Sequence, residues 1–531
     1  MDQDVLTDEQ FQRLAQYGVE EWAEHGSRLY SSGDSSYDLI LLRSAAVEVV
    51  RDTTTIDPEH LIYRRGPGDF LGELSLLTGQ QVFATARVVR AGRVVRIGTD
   101  TLRRVLSEQV DIADVLIEAF RARREILRSA AGSALEIVGR PDIAETLELR
   151  TYATQMLLPH SWLDATTVAG RALMRTVRVG DDDLPAALVN GSVLRNATPG
   201  AVAEAVGLTY RGGGRTPDLV VVGAGPAGLA AAVYGASEGL ATVLIDGTGV
   251  GGQAAKSARI ENYLGFPKGV SGEDLTRLAM IQALKFGVQI YTPCEVAGLD
   301  VSDQNQPVVV LRDGSRIASR AVIAATGAHY RRLDLPRWAE FEKAGCIRYA
   351  ATELDVRGYE SLPVTVVGGA NSAGQAAMSL ATRGATVTLV VRSPDLGARM
   401  SAYLVQRIHA HPRITVRCSS RIGALDGDTS LAAVDVHGPD SAREEVQCRG
   451  LFCFIGASPE SGWMTGIDKD PKGFVLTETR EAPLPFQTSA HRVFAVGDLR
   501  AGSIKRVATA VGEGASAVSS VHAVLAATVT A

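Results

Sequence analysis

Gly223-x-Gly225-x-x-Gly228 is the spacing in this chain with the most definite chemistry. It follows an apolar, β-branched run, Leu219 to Val222, and opens an Ala-rich stretch; a second run, Thr242 to Ile245, ends in Asp246. Each part has a use for a dinucleotide. The first glycine makes the tight turn, the second lets the backbone approach a pyrophosphate, and the third lets helix and strand pack closely. Pro226 and Ala227 share the turn, the helix N-terminus faces the phosphates, and the acid takes the ribose hydroxyls.

The pattern recurs. A strand at Val364 to Val367 leads into Gly368-Gly369-Ala370-Asn371-Ser372-Ala373, and the next strand, Val387 to Val391, ends in Arg392. An arginine in place of the ribose-binding acid favours a 2′-phosphate, hence NADPH over NADH, with Arg399 in support. Ala370 replaces the middle glycine and points a methyl group toward the pyrophosphate. That leaves two alternatives open, a working nicotinamide site and a retained fold that binds weakly.

Elements enough for several domains surround these sites. A chain of 531 residues is too long for one core and implies three or more domains. With 46% hydrophobic and 21% charged residues it has the balance of a globular protein. A net charge of −6, without a basic block, argues against nucleic acid or an anionic membrane as the main partner. No apolar run reaches the roughly 18 residues of a membrane helix, and the acidic start "MDQDVLTDEQ" does not read as a signal, so a cytoplasmic location is expected. The five cysteines (Cys294, Cys346, Cys418, Cys448, Cys453) show no Cys-x-x-Cys spacing and read as reduced, mostly buried thiols. No His/Cys/Asp cluster has metal-ligand spacing, so no metal is expected.

Two dinucleotide patterns in one chain resemble the thioredoxin reductase-like flavoproteins, and three further stretches extend the resemblance over about residues 215 to 525. "GVGGQAAKSARIENYLGFP" (249–267) is similar to their flavin-contacting segment, which implies FAD contacts at Gly252, Gln253, Asn262 and Tyr263. "AATGA" (324–328) is similar to the turn that closes the flavin domain and carries over Thr326 and Gly327. "VFAVGDLRAGSIKRVATAVGEGASAV" (493–518) resembles the C-terminal motif, in which Gly497-Asp498 would hold the ribityl chain and the helix start Arg506-Val507-Ala508 would face the isoalloxazine. The resemblance also implies a nicotinamide domain inserted within the flavin domain, and a homodimer.

"IRYAATELD" (347–355) lies where such a reductase carries its redox pair, Cys-Ala-Thr-Cys; this chain reads Ala350-Ala351-Thr352-Glu353. A thiolate is the nucleophile in flavin–disulfide exchange, and neither alanine nor glutamate replaces it. The sequence is similar to a subfamily that lacks this pair and carries a cyclic nucleotide-binding-like domain in front. Glu353 is the one catalytic candidate, as a general acid or base, against a plain helix-start or solvent-facing role.

In front, short apolar strands and turn residues from 25 to 105 read as a β-roll. "GPGDFLGELSLLTGQQVFATARV" (66–88) resembles a cyclic nucleotide cassette, with Gly72, Glu73 and Leu74 present and Glu73 at the ribose 2′-hydroxyl. The arginine that would clamp the cyclic phosphate is Val82, and Arg87 could serve only by another geometry, so cyclic nucleotide binding stands against a structural or dimerising roll. A helix over 112–129 follows, and its charges, "RARRE", read as a solvated face. Residues 133 to 208 run strand (134–138), helix (143–157), strand (161–163), helix (166–175), strand (186–189), strand (192–195), helix (200–206). That order resembles a thioredoxin or glutaredoxin-like fold with Pro185 as its cis-proline, but the turn "GRPDIAE" (139–145) has no cysteine. "YRGGGRTP" (210–217) reads as a flexible linker.

The expected architecture is therefore multidomain, α+β and α/β: a β-roll with its helix (1–130), a cysteine-free thioredoxin-like domain (131–211), and two Rossmann-like domains. These are an FAD domain in two parts (215–331 and 447–531) and an NAD(P)H domain (332–446) inserted in it. The leading functional expectation is an FAD-dependent, NADPH-reduced oxidoreductase that passes electrons to something other than a protein disulfide, with the acceptor unnamed. A small-molecule flavin oxidase or dehydrogenase with a vestigial nicotinamide domain, and a non-catalytic flavin or nucleotide sensor, remain as alternatives.

Overall fold

The computed structural model describes residues 5–53, 58–130, 135–189, 191–212, 215–257, 259–349, 351, 356–439, 442–480 and 482–527. Eight strands between Val19 and Ile97 form two four-stranded antiparallel sheets, with Leu39–Leu42 wholly buried between roll and helices. The helix Val110–Ala130 closes the roll through Ile112, Leu116, Phe120 and Leu127, a stripe at helical spacing. Its "RARRE" run is not a solvated face: Arg123 and Arg124 are 3% and 2% exposed. The reason is register, since 120, 124 and 127 share one side of a helix.

The next unit has the sheet order Ser161–Asp164, Leu135–Gly139, Ala186–Val189, Ser192–Leu194; the first pair is parallel and the others antiparallel. Its helices are Ala144–Gln155, Val168–Val177 and Pro199–Val206, and Leu184–Pro185 is cis. The helix expected from residue 166 starts at Val168 because Thr167 caps it, its side chain accepting from the Gly170 N–H. The stretch 210–217 is tied at its start rather than free: the Tyr210 ring meets Tyr291 edge-on at 5.3 Å. Gly213 and Gly214 lie outside the described residues.

Two parallel five-stranded sheets follow. The first runs Gln289–Tyr291, Thr242–Ile245, Leu219–Val222, Ala321–Ala324, Val493–Ala495. The second runs Ile347–Arg348, Gly450–Cys453, Pro363–Val367, Thr386–Val390, Ile414–Arg417. Parallel strands buried on both faces need runs of apolar or β-branched residues, which is what 219–222 and 364–367 (with Thr365) supply. The chain leaves the first unit and returns to it through Ala328–Tyr330 and Ala457–Pro459, which pair antiparallel. One boundary differs from the sequence expectation of 446/447. Gly450–Cys453 pairs with Val364–Val367 in the second sheet, so the return falls after Cys453. A four-residue apolar strand carries no label of the sheet it joins.

One hydrophobic core runs unbroken from the β-roll through its closing helix and the 135–208 unit to one face of the first parallel sheet. The second parallel sheet has cores of its own. Among the described residues no helix is long and apolar enough to cross a membrane.

Candidate functional site

The two ends of the first loop leave no room for side chains. At Gly223 (φ +106°) a Cβ would lie 2.3 Å from the Ala325 carbonyl oxygen, and at Gly228 1.7 Å from that of Gly223. Gly225 is different: its Cβ would meet only Gly252 Cα at 3.9 Å. The middle position is thus open beyond the strand ends, where the helix beginning at Pro226 presents its unpaired N–H groups. Ala227 is buried under the C-terminal helix, for a Cβ on Gly514 would lie 2.0 Å from the Ala227 carbonyl oxygen. Asp246 sits at the end of the second strand. One carboxylate oxygen accepts from Ala224 N–H (2.7 Å), the other from Thr248 and Gly249 N–H (2.8 and 3.0 Å), which fixes its direction and leaves it acceptor capacity.

The C-terminal motif closes the same space. Gly497 (φ +70°) donates its N–H to Glu513 at 2.7 Å. Glu513 is buried and also accepts from Arg500 Nη2 (2.8 Å) and Ser503 Oγ (2.7 Å). Sequence reasoning passed over this glutamate, although a lone charge in "VATAVGEGASAV" was a signal. Asp498 is half-buried, and no described residue donates a hydrogen bond to its carboxylate. Burial pushes its pKa up; Lys505 opposes and Glu513 adds to the effect. A half-buried carboxylate without a protein donor suits a ligand that brings hydroxyl donors. These residues therefore fit FAD: Gly225 and the helix start for its pyrophosphate, Asp246 for its ribose, Asp498 for its ribityl chain.

Other expected contacts turn inward. The Gln253 amide donates to the Ala328 carbonyl, and the Thr326 hydroxyl donates to the Glu460 carbonyl at 2.7 Å. Both brace the hinge strands instead of reaching out, because the Ala328 and Glu460 carbonyls lie within their reach. Gly327 (φ +69°) makes the turn between them, and Gly252 (φ +52°) abuts Gly225. Asn262 is exposed, while Tyr263 leans on Phe266 at 6.0 Å. Arg506 and Ala508 are exposed and Val507 half-buried where the helix Val507–Ala527 begins.

The second loop keeps the design with differences. Gly368 (φ +142°) packs on the Phe454 carbonyl, and Gly369 on Val391, each too close for a side chain. Ala370 has ordinary extended angles (φ −110°, ψ 175°) and is exposed, so its methyl strains nothing in the fold. Asn371 is committed to the loop below, its Oδ1 accepting from Ser401 N–H (2.8 Å) and Oγ (3.1 Å). Ser372 is exposed and Ala373 buried; close helix packing falls to Gly374, whose Cβ would meet Leu404 and Met400 at 2.7 Å. Arg392 and Arg399 are both exposed, and no carboxylate among the described residues pairs with either. Two unpaired guanidinium groups beyond the strand ends fit a phosphate monoester.

Glu353, with Ala350 and Thr352, lies outside the described residues; Ala351 is buried in the second unit's core. Cys346 is buried, its sulfur 3.4 Å from Leu431 N. Burial pushes the Cys448 thiol up to about 11 and Cys453 to about 12, which keeps both protonated and inert. Among the described residues no group of acids, histidines and cysteines could hold a metal ion.

Comparisons with known proteins agree with this geometry. The model of the pyridine nucleotide-disulphide oxidoreductase family matches residues 217–514, and that of the cyclic nucleotide-binding domain matches residues 20–109. A thioredoxin reductase of Treponema pallidum is 32% identical over 304 residues, 56% of this chain and 94% of that protein. NADPH-dependent thioredoxin reductase 3 of Arabidopsis thaliana is 31% identical over 322 residues, 59% of each chain. A thioredoxin reductase of Lactococcus lactis superposes with a TM-score of 0.54 at 28% identity, over 58% of this chain and 99% of that one. The family match spans both glycine loops, the paired hinge strands and the Gly497-Asp498 motif. The chain belongs to the pyridine nucleotide-disulphide oxidoreductase family.

Proposed function

We propose that this protein is an FAD-dependent, NADPH-oxidising enzyme whose electron acceptor is not a protein disulfide. The observation that carries the reading is the contrast between two places in one chain. The Gly223–Gly228 loop, with Asp246 bonded to it and the Gly497-Asp498 turn packed on Ala227, suits FAD, while the segment 350–353 and the rest of the sequence offer no Cys-x-x-Cys. Bound FAD and NADPH would supply hydride and electron transfer. The chain's own residues bind and orient: Gly225 admits the pyrophosphate, Asp498 accepts from the ribityl hydroxyls, Arg392 and Arg399 take the 2′-phosphate. Hydride from NADPH would carry two electrons and one proton; with one further proton it would reduce dioxygen or a quinone, whereas an electron-carrier protein would take the electrons and leave the proton to solvent.

The placement of the 135–208 unit supports the same reading. Its turn at Asp142, where a thioredoxin-like domain would carry its thiols, reaches Gly345, just before the 346–353 segment, with 3.1 Å between the Asp142 carbonyl oxygen and a Cβ placed at Gly345. Its helix also holds the flavin unit, Tyr152 donating to the Thr292 carbonyl at 2.7 Å. A cysteine-free domain thus sits beside a segment whose one thiol, Cys346, is buried and accepts from Leu431 N–H, and no Cys-x-x-Cys pair is there to exchange disulfides. The proposal includes a cytoplasmic homodimer, checked by sedimentation.

The test is NADPH consumption with a panel of acceptors. Turnover with dioxygen or a quinone and none with thioredoxin disulfide is expected; efficient disulfide reduction would sink the proposal. Replacing Arg392 and Arg399 together by alanine is expected to raise KM for NADPH roughly 10²- to 10⁴-fold, since each of the two charge-assisted phosphate contacts contributes about 1.5–3 kcal/mol. KM for NADH should hardly move. An equal loss for both nucleotides would remove the arginines from 2′-phosphate recognition.

A second reading, a small-molecule oxidase with an idle nicotinamide unit, is favoured by Ala370, whose exposed methyl occupies the position that Gly225 leaves open. Ala370→Gly separates the two. Under the main reading it lowers KM for NADPH a few-fold with little change in kcat; no NADPH oxidation by either form would favour the second.

A further inference from the structure

The cassette of the N-terminal β-roll is filled from within. Glu73, whose carboxylate is expected at a ribose hydroxyl, is 6% exposed, and its Oε2 lies 2.7 Å from Arg124 Nε of the closing helix. The backbone around it is equally committed. Glu73 N–H donates to the Tyr37 hydroxyl (3.0 Å), and Arg123 Nη1 donates to the carbonyls of Phe70 (2.9 Å) and Gly72 (3.0 Å) while lying 4.0 Å over the Phe70 ring. A Cβ on Gly72 would already come within 2.9 Å of Leu39, Leu76 and Phe120.

The cation that a cyclic phosphate needs is also missing. Val82, at that position, is 3% exposed in the apolar core. Arg87 is occupied on its strand by Glu48 (3.4 Å) and Glu59 (3.1 Å). A cyclic nucleotide requires a free acceptor for its 2′-hydroxyl, a cation for its phosphate and a cavity between roll and helix. Glu73 and Arg124 neutralise each other as a buried ion pair, and Phe120 and Arg123 pack against Gly72 beside them.

Arg124 does more than neutralise Glu73. Its Nη1 donates to Gln80 Oε1 (2.8 Å) and to the Leu157 carbonyl (3.1 Å), and Gln80 in turn donates to the Met156 carbonyl (3.0 Å). Met156 and Tyr152 then meet Thr292 of the flavin unit, at 3.1 and 2.7 Å. Buried polar contacts thus run from the cassette to the edge of the flavin unit, inside one continuous hydrophobic core.

We infer that the N-terminal β-roll binds no cyclic nucleotide, and that Arg124 stands where a ligand would, joining the cassette to the flavin unit as a fixed brace. Breaking a buried pair by removing one partner strands the other charge, whereas removing both does not. Isothermal titration of the whole protein with cyclic AMP and with cyclic GMP should give no saturable heat; saturable binding of either would overturn the inference. In thermal melts read by flavin fluorescence, Glu73→Gln and Arg124→Met should each lower the midpoint of flavin release by roughly 5 °C or more, and the double variant should recover part of that loss. Additive losses, or single variants that release flavin at the wild-type temperature, would show that the pair is not a brace. The wild-type titration decides the ligand question even if a variant fails to fold, and neither measurement depends on which acceptor the enzyme uses.

Discussion

Asp498→Ala is expected to purify folded but without flavin. The carboxylate makes no hydrogen bond to the described protein, so its removal leaves no protein donor unpaired and should leave stability nearly unchanged. For a ligand with hydroxyl donors it is a half-buried carboxylate acceptor, and such bonds contribute about 1.5–3 kcal/mol each. Loss of one or two corresponds to a flavin affinity roughly 10- to 10⁴-fold weaker. Flavin absorbance per protein measures the effect, and circular dichroism checks the fold. A variant that keeps stoichiometric flavin through dialysis would mean that Asp498 faces no cofactor.

Glu513→Ala should act in the opposite manner, through the fold first. Glu513 is buried and takes three donors: Gly497 N–H, Arg500 and Ser503. Alanine strands the half-buried Arg500 guanidinium and orphans the Gly497 N–H, so the expected loss is about 3–5 kcal/mol in urea unfolding. The Gly497 turn would then drift and flavin affinity would fall with it. Glu513→Gln, which can still accept from Gly497, should recover part of the flavin binding while leaving Arg500 without a counter-charge. Glutamine as damaging as alanine would show that charge, not the hydrogen bond to the turn, sets the geometry.

These two residues mark the border of what the sequence makes legible. The strands 219–222 and 242–245 are readable because parallel strands buried on both faces leave no choice but continuous β-branched runs. Gly223, Gly225 and Gly228 are readable because their backbone duties follow from local geometry. Glu513 was not, since its value lies in a turn 16 residues upstream that only the packed helix brings near. Arg123 and Arg124 misled for a related reason: charge suggests solvent, yet helical register put them on the stripe of Phe120 and Leu127. Gln253 and Thr326 sit in the expected segments, but their side chains bond to Ala328 and Glu460, partners set by the hinge between units. The strand 450–453 has no local mark of the sheet it joins.

The most direct test of the central claim is an anaerobic titration of the flavin-loaded protein with NADPH and, separately, with NADH, following flavin absorbance. One equivalent of NADPH should bleach the flavin, NADH should do so only at much higher concentration, and a disulfide substrate added afterwards should leave it bleached while a quinone or dioxygen restores the colour. A flavin untouched by NADPH, or one reoxidised at once by thioredoxin disulfide, would contradict it.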